Sequence, residues 1–149
     1  MQGRFIPNLS EAHRSRIRIT LTLLDEALVK FEDWAQGREV RSVLYCEENT
    51  LDPERRAGIL ADSAGIRRIM EELRDGLHLK ASPQDIAKTI QAHCYILWVD
   101  VLEMTSKYLR GFGEPPAELV NYLDPKAYQI LQYLDHLKAL LTKPGFLEG

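Results

Sequence analysis

Along most of this chain apolar residues return every three or four positions, the period of an α-helix that buries one face. The densest case runs from Ile86 to Leu109. Ala87, Ile90, Cys94, Leu97, Val101, Met104 and Tyr108 keep a strict three-and-four spacing, and Tyr95, Trp98, Leu102 and Leu109 form a second line one position around. At about 100° per residue this apolar arc spans roughly 200°, against the roughly 100° that a surface helix needs. A central helix buried on more than one side is therefore predicted. It requires several partner helices, short pieces near Val40 and Leu119, or a second copy of the chain.

The flanking segments carry their own start and stop signals. Ser10 is a capping residue ahead of Glu11, and Ile17, Leu21, Leu24, Leu28, Phe31 and Ala35 predict a first helix of about 27 residues, roughly 40 Å long, ending at Gly37. In Arg38 to Leu51, Val40, Val43 and Leu44 suit a short helix, whereas the β-branched residues and Tyr45 also suit an extended segment; a helix is expected. Asp52-Pro53 places a cap before a proline at the first helical position, opening a second long helix with the stripe Ile59, Ser63, Ile66, Met70, Leu73 and Leu77. Gly58 and Gly65 in that helix either admit a close neighbour or weaken it locally. Ser82-Pro83, reinforced by Asp85, starts the central helix, which is expected to reach about Arg110, where Gly111 to Pro116 stops it. Ala117 to Leu123 is predicted to make two turns. Asp124-Pro125 then opens a last helix along Ala127, Ile130, Leu134, Leu137 and Leu141, closed by Pro144-Gly145. The expected fold is all-α: an antiparallel up-and-down four-helix bundle with one or two short accessory helices.

Composition supports a folded chain and narrows its partners. Residues 1–149, 45% hydrophobic and 28% charged, suit a single domain with an ordinary core. A net charge of −3 gives no overall attraction for polyanions. Cys46 and Cys94 lack metal or redox spacing, and Cys94 sits on an apolar stripe where a buried thiol is expected. The N-terminal residues lack the apolar core of a signal peptide, and the longest unbroken apolar run, Cys94 to Val99, is too short to span a bilayer. A cytoplasmic protein without membrane contact is expected.

Candidate chemistry is sparse. Of His13, His78, His93 and His136, His93 lies on the polar stripe of the central helix, a solvated face. Asp75-x-x-His78 has one spacing used by di-metal bundles, but those need Glu-x-x-His on two helices and further glutamates, so no metal site and no cofactor are expected. His136-Leu-Lys138 resembles the phosphoacceptor segment of phosphotransfer bundles over three residues only, and Ala139 to Leu141 departs from the pattern. Cys94 and His93 are adjacent, and neighbouring helical residues diverge by about 100°, which leaves no nucleophile and base facing each other. Gly111-Phe-Gly113 runs into Glu114 and two prolines and makes no phosphate cradle.

Glu72-Leu-Arg-Asp75 resembles the Glu-x-x-Asp pair with which all-helical nucleotide pyrophosphatases hold magnesium, and Glu47-Glu48 offers the second half, although Leu51 stands where a further glutamate is expected. That resemblance implies an alternative function, a metal-dependent nucleotide pyrophosphohydrolase using Glu47, Glu48, Glu72 and Asp75. The same carboxylates with Arg68 and Arg74 also make an ordinary ladder of helix ion pairs. Eleven of twelve arginines precede Asp75, where acidic residues are equally dense, so arginine is expected to serve salt bridges. Only the first eighteen residues hold a basic surplus, four Arg against Glu11, and a nucleic-acid-binding accessory role is the second alternative. By elimination the chain is read as a non-catalytic, self-associating bundle that works by contact with a second copy or another protein. It would be a regulatory, adaptor or chaperone-like module. Its expected contact residues are Tyr95, Trp98, Leu102 and Ile96, flanked by Trp34 and Tyr45.

Overall fold

The computed structural model describes residue 6 and residues 8–142. Every regular element among them is helical, so the chain is all-α, as the periodicity predicts. Helices α1 (Glu11–Ala35) and α2 (Pro53–Gly76) pack together in a first compact unit that runs to Ala81. A second unit begins at Ser82 and holds α3 (Ile86–Leu102), the short α4 (Ser106–Leu109), a 3-10 turn (Arg110–Phe112) and α5 (Ala117–Thr142).

In the first unit the caps do what the residues dictate. The Ser10 hydroxyl accepts from His13 N–H at 3.1 Å, and the Asp52 carboxylate accepts from Arg55 N–H at 2.8 Å with Pro53 beginning the helix. Gly37, at φ +90°, turns the chain out of α1, and an added Cβ there would stand 2.9 Å from an Arg56 guanidinium nitrogen. At the end of α2, His78 takes the left-handed conformation more usual for glycine (φ 55°), and Leu79 N–H reaches back to the Arg74 carbonyl at 2.9 Å. The two helices are antiparallel: Arg14 donates to the Leu77 carbonyl at 2.9 Å at one end, and Gly37 meets Arg56 at the other. Leu28, Ala35, Ser63 and Leu79 are the buried side chains between and beside them. Nothing among the described residues lies within 4 Å of a Cβ built at Gly58 or Gly65, so no close neighbour uses the missing side chain, and glycine at these positions lowers the helix propensity of α2.

Arg38 to Leu51 is not the short helix expected. Arg41 and Cys46 form an antiparallel bridge, Ser42 N–H donates to Tyr45 O at 2.9 Å, and Glu47 N–H donates to Val40 O at 2.8 Å. The β-branched residues and Tyr45 take the extended alternative because side chains of the segment bond to one another's backbone and to Trp34 at the end of α1, as described below.

In the second unit the helix boundaries shift. Asp85, rather than Ser82, caps α3, accepting from Ala87 N–H at 3.0 Å, and α3 stops at Leu102 instead of reaching Arg110. The cause lies on α5. The Asp124 carboxylate takes the Ser106 N–H at 2.9 Å and the Ser106 hydroxyl at 2.7 Å, while Thr105, only 2% exposed, bonds back to the Leu102 carbonyl. Asp124 therefore caps α4 and not the helix that follows it. The predicted break before Pro125 is absent: Ala117 to Thr142 is one helix that carries Pro125 inside and forgoes one internal hydrogen bond there. The Pro144-Gly145 stop lies outside the described residues. α3 and α5 are antiparallel, with Ser106 beside Asp124 near their connection and Lys138 lying over Tyr95 further along.

Candidate contact surfaces

The seam of the second unit has a regular period. On α3 it consists of Gln91, Cys94, Trp98 and Val101, and on α5 of Ala127, Leu131, Leu134, Lys138 and Leu141, all buried or half-buried. Cys94 is 3% exposed, in agreement with a core thiol. The wide apolar arc of α3 is not enclosed, however. Tyr95 is 62% exposed and Ile96 63%, and Ile90 and Leu97 also remain open. The arc exceeds what one antiparallel neighbour covers, and that excess faces outward.

The four contact residues expected on α3 therefore do not share one surface. Trp98 and Leu102 are half-buried, and Trp98 Nε1 is buried without a hydrogen-bond partner among the described residues. Tyr95 lies beside the seam with the Lys138 ammonium 4.4 Å from its ring centroid, and the same ammonium sits 6.0 Å from the Trp98 ring. Ile96 points away from the seam. Trp34 and Tyr45 belong to the first unit. Trp34 is half-buried, stacks with Phe31 at 6.2 Å between centroids, and donates Nε1–H to Glu47 at 2.9 Å. Tyr45 is 61% exposed.

Sequence reasoning missed the tip beside Tyr45. The segment from Arg38 to Asn49 is a finger tied at its base: Glu47 also accepts from Val40 N–H at 3.0 Å, and Glu39 accepts from Asn49 N–H at 2.9 Å. The Asn49 side chain donates to the carbonyls of Trp34 at 2.7 Å and Arg38 at 3.0 Å. At the tip Val43 is 92% and Leu44 94% exposed. The signal in the sequence was the two β-formers Val43 and Tyr45 on either side of Leu44, with Arg41 and Glu47 beyond them and no continuing helical stripe.

The carboxylates of the nucleotide-hydrolase alternative are not gathered. Glu47 is engaged by Trp34 and Val40, Glu48 and Glu72 are exposed, and Asp75 pairs with Arg74 at 2.9 Å. Among the described residues no three His, Cys, Asp or Glu side chains are placed to hold a metal ion. Glu72 and Asp75, which make the Glu-x-x-Asp spacing, are both exposed.

Among the described residues the densest ionic cluster ties α1 to α2. Arg67 on α2 reaches Asp25 at 2.6 Å and Glu32 at 2.7 Å on α1, and the Ser63 hydroxyl donates to Glu32 as well. This is the salt-bridge role expected of the arginines, which Arg14, Arg38, Arg41 and Arg55 repeat. The basic surplus of the first eighteen residues includes Arg4, outside the described residues; Arg14 and Arg18 both face Glu11. Hydrogen bonds first from Arg67 and then from Ser63 hold the Glu32 carboxyl below its ordinary value near 4.5. A carboxyl lowered in the folded state adds stability above that ordinary value, and the contribution is lost as pH falls through the folded value. The melting-temperature advantage of the wild type over Glu32→Gln is accordingly expected to be largest near pH 6 and to shrink toward pH 3. A gap that stays constant over that range would remove Glu32 as a source of acid sensitivity.

Among the described residues no helix is long and apolar enough to cross a membrane. Comparison with protein-family models, curated proteins and solved structures finds no match to this chain.

Proposed function

We propose that this chain is a non-catalytic, cytoplasmic helical protein that acts by protein–protein contact, as a regulatory, adaptor or chaperone-like module, and that it self-associates as a homodimer. One observation carries the reading: large apolar side chains stay in water along one face of a helix of the second unit, Ile130, Tyr133, Leu137 and Leu140 on α5 at 43%, 73%, 41% and 58% exposure. Scattered exposed hydrophobics need no explanation, but contiguous ones on rigid helices mark contact surfaces. The finger tip at Val43 and Leu44 supports the same reading, because hydrogen bonds at its base hold two aliphatic side chains in solvent.

Light scattering on the full chain at micromolar concentration is expected to give twice the chain mass of 17.1 kDa. A mass of one chain up to about 100 μM, near the weak end of ordinary protein association, would remove self-association from the proposal.

A further inference from the structure

Two antiparallel helices wind in opposite senses when viewed from one end. Side chains one position before the seam residues of each helix therefore emerge on the same side of the pair, and those one position after emerge on the other. In the second unit these sides differ in chemistry along α5, and in the amount of apolar surface they expose. Before seam residues stand Ile90 and Leu97 on α3 and Ile130, Tyr133, Leu137 and Leu140 on α5, each between 39% and 73% exposed. After the seam residues stand Tyr128, Gln132, Asp135, Ala139 and Thr142 on α5 and Ala92, Tyr95, Val99 and Leu102 on α3, so that side is polar along most of α5 but not along α3. On α5 the first side is an apolar stripe with the same three-and-four period as the seam itself, and on α3 Ile90 and Leu97 extend it between His93 and Asp100.

We propose that this stripe is the face on which a second copy of the chain docks, α3/α5 pair against α3/α5 pair, to close a four-helix layer between two protomers. The inference rests on the self-association proposed above and names its surface. Three observations favour a second copy over another occupant. The spacing suits the side-chain rows of another helix pair, and an identical pair supplies it in a self-complementary arrangement. Formal charge on this side is balanced, Asp100 on α3 against Lys126 on α5 with His93 between Ile90 and Leu97, so the face has no net charge to repel an identical copy or to attract an anionic surface. With a fully exposed Leu, Ile or Tyr taken as about 200 Å², the six side chains present roughly 600 Å² per copy, hence about 1,200 Å² for the pair, inside the range of specific interfaces.

The test uses the full chain and two double variants, each checked for unchanged helical circular dichroism. Tyr133→Glu with Leu137→Glu places charge on the stripe and is expected to weaken dimerisation at least about 100-fold in sedimentation equilibrium. Tyr95→Glu with Gln132→Glu places the same charge on the opposite side and is expected to change it less than about threefold. Should the first variant lose helicity, Tyr133→Gln with Leu140→Gln replaces it, with about a tenfold loss expected. A wild-type dimer that survives the stripe substitutions, or that breaks only with Tyr95→Glu and Gln132→Glu, overturns the stripe while self-association stands. A wild-type chain that is monomeric throughout overturns both.

Discussion

Leu28→Ala is expected to destabilise the first unit by about 3–5 kcal/mol, the upper part of the range for a leucine deleted from a core. The reason is how little else that unit buries. Leu28 is 2% exposed and is one of the largest wholly enclosed side chains; beside it, among the described residues of that unit, only Ala35, Ser63, Leu79 and Gly76 are buried. Losing three methylene-sized groups removes their transfer free energy and leaves a void, and a two-helix unit has few other contacts with which to close it. Leu28 also lies one turn from Asp25 and from Glu32, the two carboxylates that hold Arg67. A relaxed α1 would loosen that clamp, so the loss should exceed the simple sum of the parts. The protein has two tryptophans, Trp34 in the first unit and Trp98 in the second. Urea unfolding followed by Trp34 fluorescence in a Trp98→Phe background therefore reports on the affected unit. A loss under about 1 kcal/mol would mean that Leu28 is not the core of this helix pair.

What could be read from the chain in advance was what neighbouring residues decide among themselves. Ser10 ahead of Glu11, Asp52 ahead of Pro53 and Gly37 after Ala35 act within one turn of their own helix, and each signal marks an observed boundary. Where a distant side chain intervened, the local signal misled. Asp124-Pro125 looks like a helix start, but the carboxylate is taken by Ser106, eighteen residues away, and the backbone continues through the proline. The same bond ends α3 early, because Ser106 N–H finds a carboxylate partner where helix continuation would have required a carbonyl. The finger from Arg38 to Asn49 was ambiguous for a related reason. Its own residues allow helix or extended chain, and Glu47 bonding Trp34 and Asn49 bonding the end of α1 decide between them.

The candidate surface was half legible. The excess apolar width of α3 is visible in its sequence, and the excess is indeed exposed at Ile90, Tyr95, Ile96 and Leu97. Which part of the arc faces α5 depends on how the partner helix is rotated, and no periodicity within α3 contains that angle. Trp98, the largest apolar side chain of the arc, consequently falls in the seam, while the aliphatic side of the pair carries no tryptophan. The carboxylate pattern is of another kind: Glu-x-x-Asp spacing is a property of one helix, whereas a metal site needs donors to converge from several elements, which one helix's periodicity does not encode.

Trp98→Ala is the second large effect expected, a loss of about 3 kcal/mol from the second unit, at the lower end of the range for a buried tryptophan because the ring is only half-buried. The substitution removes the ring from the seam and takes a face from the Lys138 ammonium, 6.0 Å from its centroid, leaving that ammonium with Tyr95. Trp98→Phe separates packing from polarity. It keeps most of the ring and deletes a buried N–H without a partner among the described residues, a group whose desolvation opposes folding. Trp98→Phe should therefore be neutral to within about 1 kcal/mol while Trp98→Ala is not, both read by circular dichroism during urea unfolding. If Trp98→Ala leaves stability unchanged within about 1 kcal/mol but shifts the monomer–dimer balance, the indole belongs to the contact surface and not to the seam between α3 and α5.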